Sequence, residues 1–360
     1  MPNRLSPEEV RRIQAQEKLV RELKEILYQN YSYVLDLPQV VKAINDGKSD
    51  FSFVKDKIVR KLLQKSLKST HGKINVTLLN AVKREWDFAH EDFWKGFKAH
   101  FSKDRQQLKA YEILKSRAET ELRNNSGESL KFYNQKRNGL NITDRVWNLT
   151  KAIPHEIEVM VQNGIKEGKS AADLARELRK NLNEPDRIYR RVRNKKTGKL
   201  ELSEAAKKYN PGQGVYRSSV KNAERLARTE INQAYRQAEW NGYQKNDMII
   251  GYKIRISNNS EGRCQTCVDL QGVYPKWFLW IGWHPHCRCR MVPVLSSQED
   301  FKDEIKALFG GPAHTPKLIE KLPTNFVEYL QKNSERIRNA STLPYWYEDN
   351  LERIEEIISL

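Results

Sequence analysis

All four cysteines of this 360-residue chain lie between Cys264 and Cys289. They read Cys264-Gln-Thr-Cys267 and then His284-Pro-His286-Cys287-Arg-Cys289. Scattered structural cysteines do not collect in one short segment. Two close-set thiol groups, each presented on a tight turn, are how a chain surrounds a tetrahedral ion that prefers soft ligands. At a Zn–S distance of about 2.3 Å no helix or strand fits between paired ligands, whereas a two-residue spacer forms a knuckle. Five donors compete for four places. Cys264 and Cys267 form the first pair; the second comes from His284, Cys287 and Cys289, with His286 a weaker claimant. In an extended Cys-x-Cys the side chains point to opposite faces, so Cys287 and Cys289 both ligate only if Arg288 sits in a turn. His284 and Cys287 have knuckle spacing instead, and the sequence leaves this choice open. Zinc is the expected ion, ahead of a pair of disulfides, because reduced thiols with imidazole favour it and the polar amino terminus carries no targeting segment. A structural role is expected, since the set closes without water and no His-Glu-x-x-His accompanies it.

The surrounding chain is rich in charge. The sequence is 38% hydrophobic and 31% charged, with a net charge of +18. No apolar run approaches the roughly 20 residues of a membrane span. The charge is uneven: residues 297–360 carry a net of −4, which leaves +22 for residues 1–296. A body this basic attracts phosphate backbones whatever their sequence, although lysine-rich helices also simply solvate a surface.

Periodicity predicts a mainly α protein with a small β element. Ser6, Pro7 and Glu9 form a helix start with a capping box, followed by an amphipathic stretch to about Asn30. Further helices are expected over Pro38–Asp46, Phe53–Ser69, Asn75–Phe101 and Arg105–Arg123. The segment Trp86–Phe101 is dense in aromatics, whose spacing favours core over base stacking. Asn124–Glu128 reads as a linker. Thr143 opens a second helical group, Pro154 is expected to begin a new helix, and Ser170 caps Ala171–Leu182. From Arg187 to Leu202 the period moves towards two around Thr197-Gly198, predicting a basic β-hairpin that projects from the helical body. Its Arg187, Arg190, Arg191, Arg193, Lys195, Lys196 and Lys199 are the candidate phosphate contacts. Ser218–Tyr243 is a helix with a small-residue face into which Glu230 points, a costly place for a carboxylate without a partner. Met248–Ile256 and Met291–Leu295 are expected to pair as short strands flanking the cysteine stretch. The tail is helical pieces broken at Gly310-Gly-Pro312 and Pro323, closing on an acidic helix. The linear segments are therefore 1–130, 140–296 and 297–360.

Over roughly residues 140–296 the order of elements resembles the phage head morphogenesis family, the Mu protein F-like minor capsid proteins. The resemblance is carried by Ile142–Trp147, Gly168-Lys-Ser170, Ala227-Arg228-Thr-Glu230, Cys264-x-x-Cys267-x-x-Leu270-x-Gly272, and His284-Pro-x-Cys287-Arg-Cys289 with Pro293. It implies a minor virion protein inside the capsid, assembled in the host cytoplasm, that associates with portal and capsid proteins and with packaged double-stranded DNA. Arg228, Glu230 and Gly272 would be structural residues of the motif. Two other functions compete. An HNH-like metal-dependent nuclease also mixes Cys-x-x-Cys pairs with histidines, but needs an open metal position and a water-activating base. A cellular zinc-bearing nucleic-acid-binding protein is the third reading.

Overall fold

The computed structural model describes residues 5–48, 51–101, 104–124, 127–183, 191–193, 197–202, 218–257 and 264–358. It is mainly α-helical with a small antiparallel sheet and a separate hairpin. The chain begins with α1 (Pro7–Leu35), α2 (Pro38–Asn45), α3 (Lys57–Phe97), α4 (Arg105–Asn124) and α5 (Glu128–Asn134). Then come α6 (Ile142–Lys166), α7 (Ala171–Asn183), the hairpin β1 (Arg191–Arg193) and β2 (Leu200–Leu202), and α8 (Ser219–Gln244). Next are β3 (Ile249–Arg255), α9 (Gln265–Asp269), β4 (Gly272–Pro275) and β5 (Arg290–Leu295). The chain closes on α10 (Gln298–Leu308), α11 (Thr324–Arg338), α12 (Tyr345–Glu348) and α13 (Leu351–Ile358). Among the described residues no helix is long and apolar enough to cross a membrane.

Local chemistry explains the helix starts. At α1 the Ser6 hydroxyl accepts from the Glu9 amide (3.2 Å) and the Glu9 carboxylate accepts from the Ser6 amide (3.0 Å), a reciprocal capping box. Ser170 and Asp173 repeat the device at α7, with Asp173 N–H donating to the Ser170 hydroxyl at 3.2 Å. Two expected breaks are absent. The helix runs unbroken through Gly72, because Ile74 and Leu78 on one side and Val59 and Leu63 on the other stay buried on it. A single glycine costs only about 1 kcal/mol in a helix, less than this packing contributes. Likewise α6 continues through Pro154 instead of starting there, its face of Val146, Leu149, Ile153, Ile157 and Met160 being buried on both sides of the proline.

Two compact units result, neither continuous in sequence. One comprises residues 1–15, 79–141 and 229–360; the other comprises residues 16–78 and 142–228. The second unit has an aliphatic core (Leu23, Leu27, Val34, Ile153 and Ile157 are buried) and an internal carboxyl, Glu156, that accepts from the Tyr31 hydroxyl and from Ser219 N–H at 2.7 Å. The first unit has an aromatic core. Trp94, Phe97 and Phe101 from the α3 end join Tyr252, Tyr274, Phe278, Trp283, Phe326 and Trp346. So the aromatic-dense segment is core, as its spacing predicts.

The sheet belongs to this first unit. Its order is β4-β3-β5, all antiparallel, with Ile254 opposite Gly272 on one side and Met291 on the other. The expected β3–β5 pairing is present; β4 is an additional strand.

Candidate metal centre

The cysteine stretch sits between the strands of the three-stranded sheet, and each donor is placed by a short local device. Cys264 caps α9, its sulfur accepting the Cys267 amide N–H at 3.3 Å. That contact brings both sulfurs of the first pair to one side. The second group is set by a turn in which Cys287 N–H donates to the His284 carbonyl at 3.1 Å. Pro285 occupies the position where its fixed φ suits a turn, and His286 follows with φ 61°. From Cys287 to Cys289 the backbone is neither helix nor strand, and regular pairing starts only at Arg290. Arg288 is therefore not extended within the sheet, which removes the obstacle to Cys287 and Cys289 facing one centre.

Four thiols and one imidazole converge. His284 Nε2 lies 3.1 Å from the sulfur of Cys264 and 3.1 Å from that of Cys267. The sulfurs of Cys267 and Cys287 are 3.8 Å apart. Ligands about 2.3 Å from a tetrahedral centre stand about 3.8 Å from one another, so this spacing is that of a coordination edge. Donor atoms of Cys264, Cys267 and His284 lie within 4.8 Å of one another, as do those of Cys267, Cys287 and Cys289. Cys267 belongs to both groups. All four cysteines are free thiols, so the disulfide alternative does not describe this structure. The five residues form a possible metal-binding site whose donors suit a thiophilic ion.

Supporting contacts orient these donors. His284 Nδ1 lies 2.7 Å from the Pro285 carbonyl, which fixes Nδ1 as the protonated nitrogen and leaves the Nε2 lone pair towards the sulfurs. The thiols titrate as a linked set. Hydrogen bonding to Cys287 and Cys289 pushes the Cys267 thiol far up. Burial opposes the Cys287 thiolate, yet hydrogen bonds from Cys267 and Cys289 and the nearby Arg236 charge hold that thiol well below its ordinary value. A cluster that already stabilises one thiolate without an ion is predisposed to a cation.

Arg236 is the main brace of the loop. Buried on α8, it donates from Nη1 to the Ile281 carbonyl (2.8 Å) and from Nη2 to the carbonyls of Cys287 and Cys289 (2.8 Å to Cys289). Its guanidinium also lies over the Trp280 ring, 4.8 Å from the centroid. Gly282 makes room for it. Its φ is 143°, and a Cβ there would stand 2.9 Å from Arg236 Nη1 and 3.4 Å from the Cys287 Cβ. Gly272, one of the motif residues, also has a steric reason: a Cβ would meet the Pro323 ring at 3.0 Å.

The other sequence candidates lie elsewhere. His286 is in neither donor group. Glu230 is buried on α8, as its spacing predicts, but is also in neither group. Arg228 pairs with Glu17 (2.7 Å) and Glu224 (3.0 Å) in the second compact unit. Of the phosphate-contact candidates, Arg187, Arg190, Lys195 and Lys196 lie outside the described residues. Arg191 and Arg193 are on β1, which pairs with β2 through Val192 opposite Glu201, and Lys199 is exposed beside the Gly198 turn. Arg236 and Gly282 escape sequence reading: nothing local separates Arg236 from the rest of 64 Lys and Arg residues. No family model matches the chain, and neither the curated proteins nor the solved structures yield a match.

Proposed function

We propose that this chain is a minor capsid protein of the phage head morphogenesis type, with a structural zinc knuckle. The observation that carries the reading is a donor set made only of thiols and imidazole, at the motif positions Cys264, Cys267, His284, Cys287 and Cys289. Four such ligands fill a tetrahedral zinc without leaving a place for water, so the ion cross-links the loop between β3 and β5 and has no substrate to activate. Cys267 bridges both donor groups and is the indispensable ligand. Arg236 and the His284–Pro285 contact hold the donors in place, as outer contacts do in other zinc sites. The protein works in the capsid interior near the portal after assembly in the host cytoplasm, and its positive body meets packaged DNA through phosphates without base reading.

The test has two arms. Purified chain is assayed for zinc and for reactive thiols, then incubated with plasmid and magnesium; particles released from the source strain are separated and their proteins identified. One zinc per chain, thiols silent until denaturation, intact plasmid and the chain inside DNA-filled heads support the reading. Nicked plasmid spared by His284→Ala establishes a nuclease instead. A zinc-bearing chain found only in cell extract, never in particles, makes it a cellular nucleic-acid-binding protein.

A further inference from the structure

The first compact unit contains a cavity of about 420 Å³, separate from the metal centre. Sites for small organic ligands run from roughly 300 to 1,000 Å³. One wall is the aromatic face of α3: Trp86, His90, Phe93 and Trp94 recur at helical spacing and all line the space. Facing residues on α8 are small, Ala238 and Gly242, which is what leaves room for an occupant.

Three buried groups at this cavity have polar atoms without a partner. They are Trp94 Nε1, Asn246 Nδ2 and Glu304 Oε1, on residues exposed by only 4%, 6% and 6%. The Asn246 amide orientation is fixed, because its Oδ1 accepts the Met248 N–H at 3.0 Å, so Nδ2 is the end left over. Glu304 engages its other oxygen with the Ser296 hydroxyl at 3.4 Å. Buried polar groups are rarely left unpaired in folded proteins, and three lining one cavity call for a complementary occupant. Two N–H donors and one carboxyl oxygen, set beside aromatic rings, match a flat ring whose edge carries both acceptors and a donor. Arg117 stands exposed at the edge of the space and suits an attached anion.

We propose that this cavity binds a nucleobase-bearing small molecule, its ring against the aromatic wall and its edge hydrogen-bonded to Trp94, Asn246 and Glu304. Aromatic side chains stack on bases of every type, and edge donors and acceptors select among them.

Calorimetry on the full chain with AMP, GMP, CMP and UMP tests it, with the matching nucleosides and ribose 5-phosphate as separate arms. At least one nucleotide binds with Kd below about 1 mM, and its nucleoside retains measurable binding. Trp94→Phe keeps the ring and deletes the N–H; Asn246→Asp turns a donor into an acceptor. Each weakens that nucleotide by about tenfold or more, with the circular dichroism spectrum and unfolding temperature of each variant checked against the parent. The proposal is overturned if no nucleotide binds, which leaves the cavity to solvent. It is also overturned if ribose 5-phosphate binds as tightly as the nucleotides, or if neither folded variant changes the affinity.

Discussion

Cys267 is the residue on which the metal centre turns, because it alone shares close contacts with both donor groups. Cys267→Ser is expected to reduce bound zinc from one per chain to near zero and to lower the unfolding temperature by more than about 10 °C, measured by metal analysis and calorimetry. A different residue sets a pH dependence. Burial pushes the Glu304 carboxyl up to about 7, helped by Asp247 and Asp300 and opposed by the Ser296 hydrogen bond and His314. Its folded value lies above the unfolded one of about 4.3. The stability it contributes is therefore complete below about 4.3 and is lost as pH rises through about 7. Glu304→Gln should match the parent at pH 4 and unfold about 2–4 °C higher at pH 8.5, by thermal melts across pH. An unchanged difference between the two pH values would place the charge elsewhere.

At the scale of elements, the loop between β4 and β5 is fixed from α8 through one guanidinium. Arg236→Lys keeps the charge but loses the planar fork that reaches three carbonyls, and Gly282→Ala drives a methyl into the space the fork occupies. Both are expected to release zinc to a chelating dye about 10–100-fold faster than the parent while leaving the ligands intact. Sequence pattern reached the parts of this arrangement that rest on near neighbours. Ser6 with Glu9 and Ser170 with Asp173 are legible because a cap and its partner are three residues apart. The Cys264–Cys267 and His284–Cys287 turns are legible for the same reason. The β3–β5 pairing followed from two apolar runs on either side of the cysteines. What escaped depends on distant packing. The strand β4 is only four residues long, and α6 overrides Pro154 because its buried face continues past it. Arg236 braces the loop from 45 residues away, and no spacing rule links those positions.

For the molecule as a whole, charge and connectivity carry the consequences. If the excess of positive charge meets DNA through phosphates, binding should be insensitive to sequence and fall steeply with salt. Gel shifts with unrelated duplexes should agree within about threefold at one salt, and affinity should drop by a factor of about 10³ or more between 50 and 200 mM for six or more contacts. Reversing Lys199 and Arg193 to glutamate should flatten that slope by about two contacts if the hairpin takes part. The discontinuous units have a further consequence, for the order of events at the ribosome. The unit that holds the sheet and the cysteines draws its first 15 residues and residues 79–141 from the early chain, yet its remainder begins at Thr229. Trp94, Phe97 and Phe101 therefore leave the exit tunnel well before Tyr252, Phe278, Phe326 and Trp346, the aromatic partners that will cover them. For the time it takes to translate more than half the protein, a nascent helix displays an adhesive surface, and that interval is when a holding chaperone would find it.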